Sequence, residues 1–83
     1  MSIEQFVLAY NLFGDYMSFQ RIRDLREDAD LTQTEMGKAI NLPQRTYAYY
    51  ESGERTVPPE VLISLAKYHK TTVDYILGLT DKR

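Results

Sequence analysis

Cysteine is absent from this chain, and that absence removes several possibilities at once. No disulfide and no thiolate-bound zinc can staple the fold, and thiol catalysis is excluded. A cysteine-free chain also suits a reducing compartment. A long hydrophobic run is missing as well: no stretch approaches the ~20 apolar residues that span a bilayer. The apolar residues between Ile3 and Phe13 are broken by Glu4, Gln5 and Asn11 with no basic leader before them. No secretory signal is therefore expected, and the chain reads as cytoplasmic with no membrane partner. The third absence is a basic surplus. Ten Lys and Arg stand against twelve Asp and Glu, giving a formal net charge of −2 and a pI near 5.3. Nucleic-acid-binding domains are often basic, so the overall balance counts against such a partner. Net charge governs long-range steering, however, and a locally arranged surface still binds phosphates.

What the chain does contain is helical periodicity. Its 83 residues make one domain with a short appendage at most, and a core of that size leaves a thin folding surplus. No strand-like alternation and no low-complexity segment interrupt the pattern. A first helix is expected over about 3–13, where Ile3, Phe6, Val7, Tyr10 and Phe13 share a face after a Ser2/Gln5 capping box. This stripe is too apolar to leave in water. It is expected to pack on the last helices or on the same segment of a second copy. A second helix, about 18–29, turns Phe19, Ile22, Leu25 and Ala29 inward and leaves Arg21, Arg23, Asp24, Glu27 and Asp28 wet. Asp30 stands where a left-handed residue would end it. Thr32 and Glu35 form a capping box for the next helix, with Met36, Ala39 and Ile40 facing in. Asn41-Leu42-Pro43 is a tight connection in which Asn takes the left-handed turn and Pro opens a helix. That helix, about 43–52, stops at Gly53. Pro58-Pro59 opens another, about 59–70, with Val61, Leu62, Leu65, Ala66 and Tyr68 apolar. Thr72 caps a last one carrying Val73, Ile76, Leu77 and Leu79, with Gly78 at its end. The predicted fold is an all-α compact bundle of four to five short helices preceded by an accessory helix. Residues 1–17 form the accessory helix and link, 18–80 the core domain and 81–83 a tail.

Residues 31–53 read LTQTEMGKAINLPQRTYAYYESG. Two short helices joined by a turn of about three residues match the length of a helix-turn-helix. On the second helix Tyr47, Tyr50 and Glu51 cluster on one side, suited to packing. Arg45, Ala48, Tyr49 and Ser52 lie opposite, on a surface that a base edge can meet. Arg pairs with guanine O6 and N7, and Gln does the same for adenine. Gln44 and Arg45 stand in the first turn, the end that goes deepest into a major groove. The Ala48 methyl permits close approach, and Thr46 completes the set. Thr32 and Gln33 open the preceding helix, where free amides favour a phosphate, and Arg55 offers a second phosphate clamp. No catalytic constellation emerges. Ser18, His69 and Asp74 lack any glycine-flanked nucleophile elbow. His69 is expected to be a solvated residue at a helix end, with no partners for a metal. No metal and no cofactor are expected.

The stretches RIRDLRED, LTQTEMGKAINL, TYAYYESGER and PPEVLISLAKYHKTTVDYIL resemble the phage-repressor and Cro type of helix-turn-helix domain, the XRE family. The resemblance covers about 19–79, and its Leu-Thr-Gln opening and Tyr-Glu-x-Gly close are specific. It implies a lambda-repressor-like fold in which Gln33, Gln44, Arg45 and Tyr49 face DNA. It also implies that Arg26 and Glu51 form a structural ion pair. Asn41 replaces the family's usual turn Gly, Gly37 its usual Ala, and Pro43 its usual Ser cap. The implied function is sequence-specific double-stranded DNA binding by a small prokaryotic or phage regulator, a repressor, bound as a homodimer to a two-fold operator. The rival expectation is a protein-interaction module, an antitoxin or antirepressor partner, to which the acidic pI inclines.

Overall fold

The computed structural model describes residues 19–83, and the expected accessory helix at 3–13 lies outside the described residues. Among the described residues five helices follow one another: α1 (Gln20–Asp28), α2 (Gln33–Ala39), α3 (Gln44–Ser52), α4 (Pro59–His69) and α5 (Val73–Leu77). Their starts are chemically ordinary. Thr32 Oγ1 accepts from the Glu35 amide at 3.1 Å while Glu35 Oε1 accepts from the Thr32 amide at 2.9 Å, a reciprocal capping box. Thr72 Oγ1 accepts from the Tyr75 amide at 3.0 Å. Pro43 and Pro58 occupy the N-cap positions of α3 and α4 and supply no side-chain cap.

The ends are less ordinary. α1, α2, α4 and α5 each close with the paired 6→1 and 5→2 backbone bonds that need a left-handed residue: Leu31 to Arg26 and Asp30 to Glu27, Leu42 to Gly37 and Asn41 to Lys38, Thr71 to Ala66 and Lys70 to Lys67, Leu79 to Asp74 and Gly78 to Tyr75. Only Gly78 among the four is glycine; Asp30, Asn41 and Lys70 hold φ of 58°, 60° and 56°. Asp and Asn tolerate this well, whereas Lys70 bears the steric penalty of its Cβ. Lys70 thus ends α4 one residue earlier than expected, without a breaker in the sequence.

The core gathers one face of every helix. Ile22 and Leu25, Met36, Tyr47 and Tyr50, Val61, Leu62, Leu65 and Ala66, and Ile76 are buried together with the loop residue Val57. Each fully buried Leu, Ile or Met contributes about 1.5–3 kcal/mol. α2 packs chiefly on α3, α1 on α3 and α5, and α4 on α5. Four residues depart from the periodicity. Ala29, Ala39 and Tyr68, expected inside, are exposed; Ala39 and Tyr68 line an open cleft between the end of α2 and α4. Arg21, expected wet, is half-buried. Its Nη1 donates to the Tyr75 carbonyl at 2.7 Å and to Thr80, its guanidinium lies 4.2 Å over the Tyr75 ring, and its Nη2 meets Asp81 at 2.8 Å. The chain beyond α5 is tied to α1 in this way. His69, expected to be solvated, is half-buried with Nε2 shut off from water. Its ring packs edge-on to Tyr68 at 5.1 Å. No helix among the described residues is long and apolar enough to cross a membrane.

Gly37 sets the angle between α2 and α3. A Cβ there would lie 2.7 Å from the Leu42 carbonyl oxygen and 3.5 Å from the backbone of Gln44. Glycine lets the turn fold directly onto α2, where the Leu42 amide donates to the Gly37 carbonyl at 2.8 Å. The close approach brings the first turn of α3 beside the start of α2.

Candidate nucleic-acid interface

The back of α3 is anchored before its front is presented. Tyr47 is fully buried, Tyr50 and Glu51 are 8% exposed, and Gly53 ends the helix at φ 83°. Glu51 would be an expensive residue to bury alone. Arg26 of α1 meets it side-on, with Nε 2.6 Å from Oε2 and Nη2 3.2 Å from Oε1, and Nη1 donates to the Leu31 carbonyl at 2.8 Å. Gln33 Nε2 donates to the same Oε1 at 3.2 Å. Burial by itself would raise the Glu51 carboxyl. Hydrogen bonding from Arg26, the adjacent Tyr47 hydroxyl and Gln33 outweighs it and holds the group below the ordinary glutamate value. The Arg26 guanidinium is raised in turn, chiefly by its bond to Glu51. Burial pushes the Tyr47 phenol far above its usual range, with the Glu51 charge reinforcing the shift. One ion pair thus clamps α1 to α3, and Gln33 adds α2.

The clamp continues to the surface. Gln33 Oε1 accepts from Gln44 Nε2 at 3.2 Å, so Glu51, Gln33 and Gln44 form a polar chain from the buried pair to the exposed first turn of α3. The two glutamines stand eleven residues apart in the sequence; Gly37 and the tight turn bring them together. Beside this chain α1, α2 and α3 enclose a cleft of about 250 Å³ lined by Arg23, Arg26, Gln33, Ala48, Glu51 and Ser52. Arg23 belongs to the face of α1 expected to be wet. It is exposed, paired at 3.3 Å with Glu27, and borders the same side as Ala48.

The front of α3 carries Gln44 and Arg45 exposed, with Thr46, Ala48 and Tyr49 partly exposed. Arg45 Nε donates to the Tyr49 hydroxyl at 2.9 Å, one helical turn on. Arg55, in the loop after α3, places its guanidinium 4.8 Å from the Tyr49 ring centroid, and that of Arg45 lies 5.8 Å from it. Two cations therefore gather on one aromatic ring, a cation–π arrangement that lets them share a small surface. The four-residue spacing of Arg45 and Tyr49 carried the signal for the first contact. Arg55 is brought in by the turn at Gly53, where its amide donates to the Tyr49 carbonyl at 3.3 Å. At the start of α2, Thr32 is exposed and Gln33 half-buried. The capping box already engages the Thr32 and Glu35 amides. Arg45 and Arg55 thus place two cations on this face within a chain of net charge −2.

A family model described as "Helix-turn-helix" matches residues 22–76. The HTH-type transcriptional regulator YobD of Bacillus subtilis (strain 168), itself described as uncharacterized, is 38% identical over 65 residues, 78% of this chain and 58% of its own length. The cryptic phage CTXphi transcriptional repressor RstR of Vibrio cholerae is 38% identical over 53 residues, 64% of this chain and 48% of its own. The chain thus spans about half the length of these curated relatives. A crystal structure of a transcriptional regulator from Listeria innocua superposes with a TM-score of 0.69 at 28% identity, covering 82% of this chain and 64% of that one. The match runs from the clamped start of the bundle at Ile22 to the last core residue, Ile76, and takes in the whole α2–turn–α3 unit; this chain belongs to the XRE-type helix-turn-helix family of transcriptional regulators.

Proposed function

We propose that the chain binds double-stranded DNA sequence-specifically, with α3 in the major groove, and acts as a repressor of transcription. One observation carries the reading: the first turn of α3 presents Gln44 and Arg45 to solvent from a helix whose opposite side is locked by Tyr47, Tyr50 and the Arg26–Glu51 pair. Base readout needs such rigid presentation, because a loosely held side chain loses freedom when it binds. Arg45 reads guanine, Gln44 reads adenine, and Ala48 with Thr46 gives close apolar approach. Thr32, Gln33 and Arg55 contact backbone phosphates, joined by Arg23 from α1. Tyr49 holds the middle of the face. The repressor assignment is supported by the similarity to RstR, which is named as one. A homodimer on a two-fold operator, with half-sites about 34 Å apart, is the arrangement that such single-helix readers commonly use. Residues 18–80 form the DNA-binding unit, acting in the cytoplasm without catalysis.

Selection of bound sequences from random duplex DNA tests the proposal directly. A two-fold consensus whose affinity falls steeply as salt rises supports it. Recovery of no preferred sequence refutes it.

A further inference from the structure

We propose that Tyr49 is a positioning residue for base recognition: its hydroxyl ties the Nε of Arg45, so that the guanidinium offers its Nη1/Nη2 edge, end-on, to the O6 and N7 of a single guanine. The inference rests on the DNA-binding reading above and goes beyond it by assigning how one base pair is read.

A guanidinium has five N–H donors, one on Nε and two on each Nη. It can form a bidentate fork either side-on, through Nε and one Nη, or end-on, through the two Nη groups. Arg26 shows the side-on form on Glu51, with Nε at 2.6 Å and Nη2 at 3.2 Å. Arg45 differs because its Nε–H is already given to the Tyr49 hydroxyl at 2.9 Å. The side-on fork is closed to it, and only the end-on edge remains for a partner in the groove. The same bond confines a long side chain that otherwise sweeps many rotamers, which reduces the entropy lost on docking. Tyr49 is itself held. It is half-buried, lies on the helix whose other face is the core, and has the Arg55 guanidinium 4.8 Å from its ring centroid. The hydroxyl orients Arg45 and the ring supports Arg55, so the two contributions separate chemically. Tyr49→Phe removes the first and keeps the second.

The experiment uses the full chain and the consensus duplex obtained from selection. Affinities are measured at one salt concentration for that duplex and for duplexes changed singly at each base pair, with the wild type, Tyr49→Phe, Arg45→Ala and the double variant. Tyr49→Phe is expected to reduce the preference for guanine at one position by about 2- to 10-fold, the worth of one hydrogen bond. Preferences elsewhere, the salt slope and the melting temperature stay unchanged, since ring and fold are kept. In the Arg45→Ala background the Phe substitution has no further effect at that position. The proposal is overturned if Tyr49→Phe leaves every preference intact, or if its effect persists undiminished without Arg45, which would make Tyr49 itself the base contact. A wild type with no sequence preference refutes DNA readout as a whole. A wild type that selects a site while Tyr49→Phe changes nothing refutes the positioning role alone.

Discussion

Glu51→Ala is the perturbation that most directly tests how this fold is held. The Glu51 side chain is 4% exposed and that of Arg26 13%. Removing the carboxylate leaves the Arg26 Nε and one Nη2 hydrogen, and the Gln33 amide, without the acceptor they now reach at 2.6 to 3.2 Å. It also takes away the charge that sits beside the buried Tyr47 hydroxyl. Stranding one member of a buried pair costs about 3–5 kcal/mol. A domain of this size carries only some 3–10 kcal/mol in total, at ~0.05–0.15 per residue. The variant should therefore melt at least ~12 °C lower, if it folds at all, given ~4–8 °C per kcal/mol. Helical circular dichroism during heating and in urea reads this out. Arg26→Ala should do nearly the same, and the double variant should be far more stable than the sum of the two losses predicts. Arg26→Met with Glu51→Leu, which replaces the pair by apolar volume, should come close to wild type or exceed it. Acid provides the same test without mutation. Because Glu51 is depressed in the folded state, its contribution is complete above the ordinary value of 4.5 and is lost as pH falls below it. Strictly additive single losses, or a wild-type acid transition unchanged by Glu51→Gln, would refute the coupling.

On the consensus duplex, Arg45→Ala should cost about 1–3 kcal/mol and relax selectivity at one base pair. Arg55→Ala should weaken all duplexes alike and reduce the salt slope by about one unit; equal losses on every sequence for both variants would make Arg45 a phosphate contact. Lys70→Gly should raise stability by about 0.5–1 kcal/mol in urea titration, because glycine relieves the Cβ strain at φ 56° while adding some freedom to the unfolded chain. His69 titrates low, first through burial and then through Arg83, so the folded state favours the neutral ring. Stability should accordingly fall as pH drops below the ordinary value of 6.5, and His69→Phe should flatten the melting profile between about pH 7 and 5.

How much of this molecule could be read from its residues depends on how far each feature reaches along the chain. Helix boundaries are local. Thr32 with Glu35, Pro58-Pro59, Thr72, Gly53 and Gly78 settle starts and stops within three or four residues, because capping pairs an amide with a side chain or a left-handed residue close by. Asp30 and Asn41 were legible for the same reason. Lys70 was not, since nothing in a lysine marks a left-handed position, and the Thr71–Ala66 and Lys70–Lys67 bonds that close the turn are seen only in the structure. Burial was read correctly where a periodic face met a neighbour, as at Ile22, Leu25, Tyr47 and Leu65. It was misread at Ala29, Ala39 and Tyr68, since periodicity says which residues share a face and not how far that face is covered. Arg21 and His69 failed the other way: the chain after α5 folds back on the first, and burial closes over the ring nitrogen of the second. The helix-turn-helix frame and its exposed Gln44 and Arg45 belong to the sequence alone, in the spacing of two short helices around one turn. The Gln33–Gln44 contact and the gathering of Arg45 and Arg55 on Tyr49 belong to the tertiary structure. They depend on Gly37 admitting the turn and on Gly53 returning the chain, and distances across such turns are set in space rather than in sequence separation.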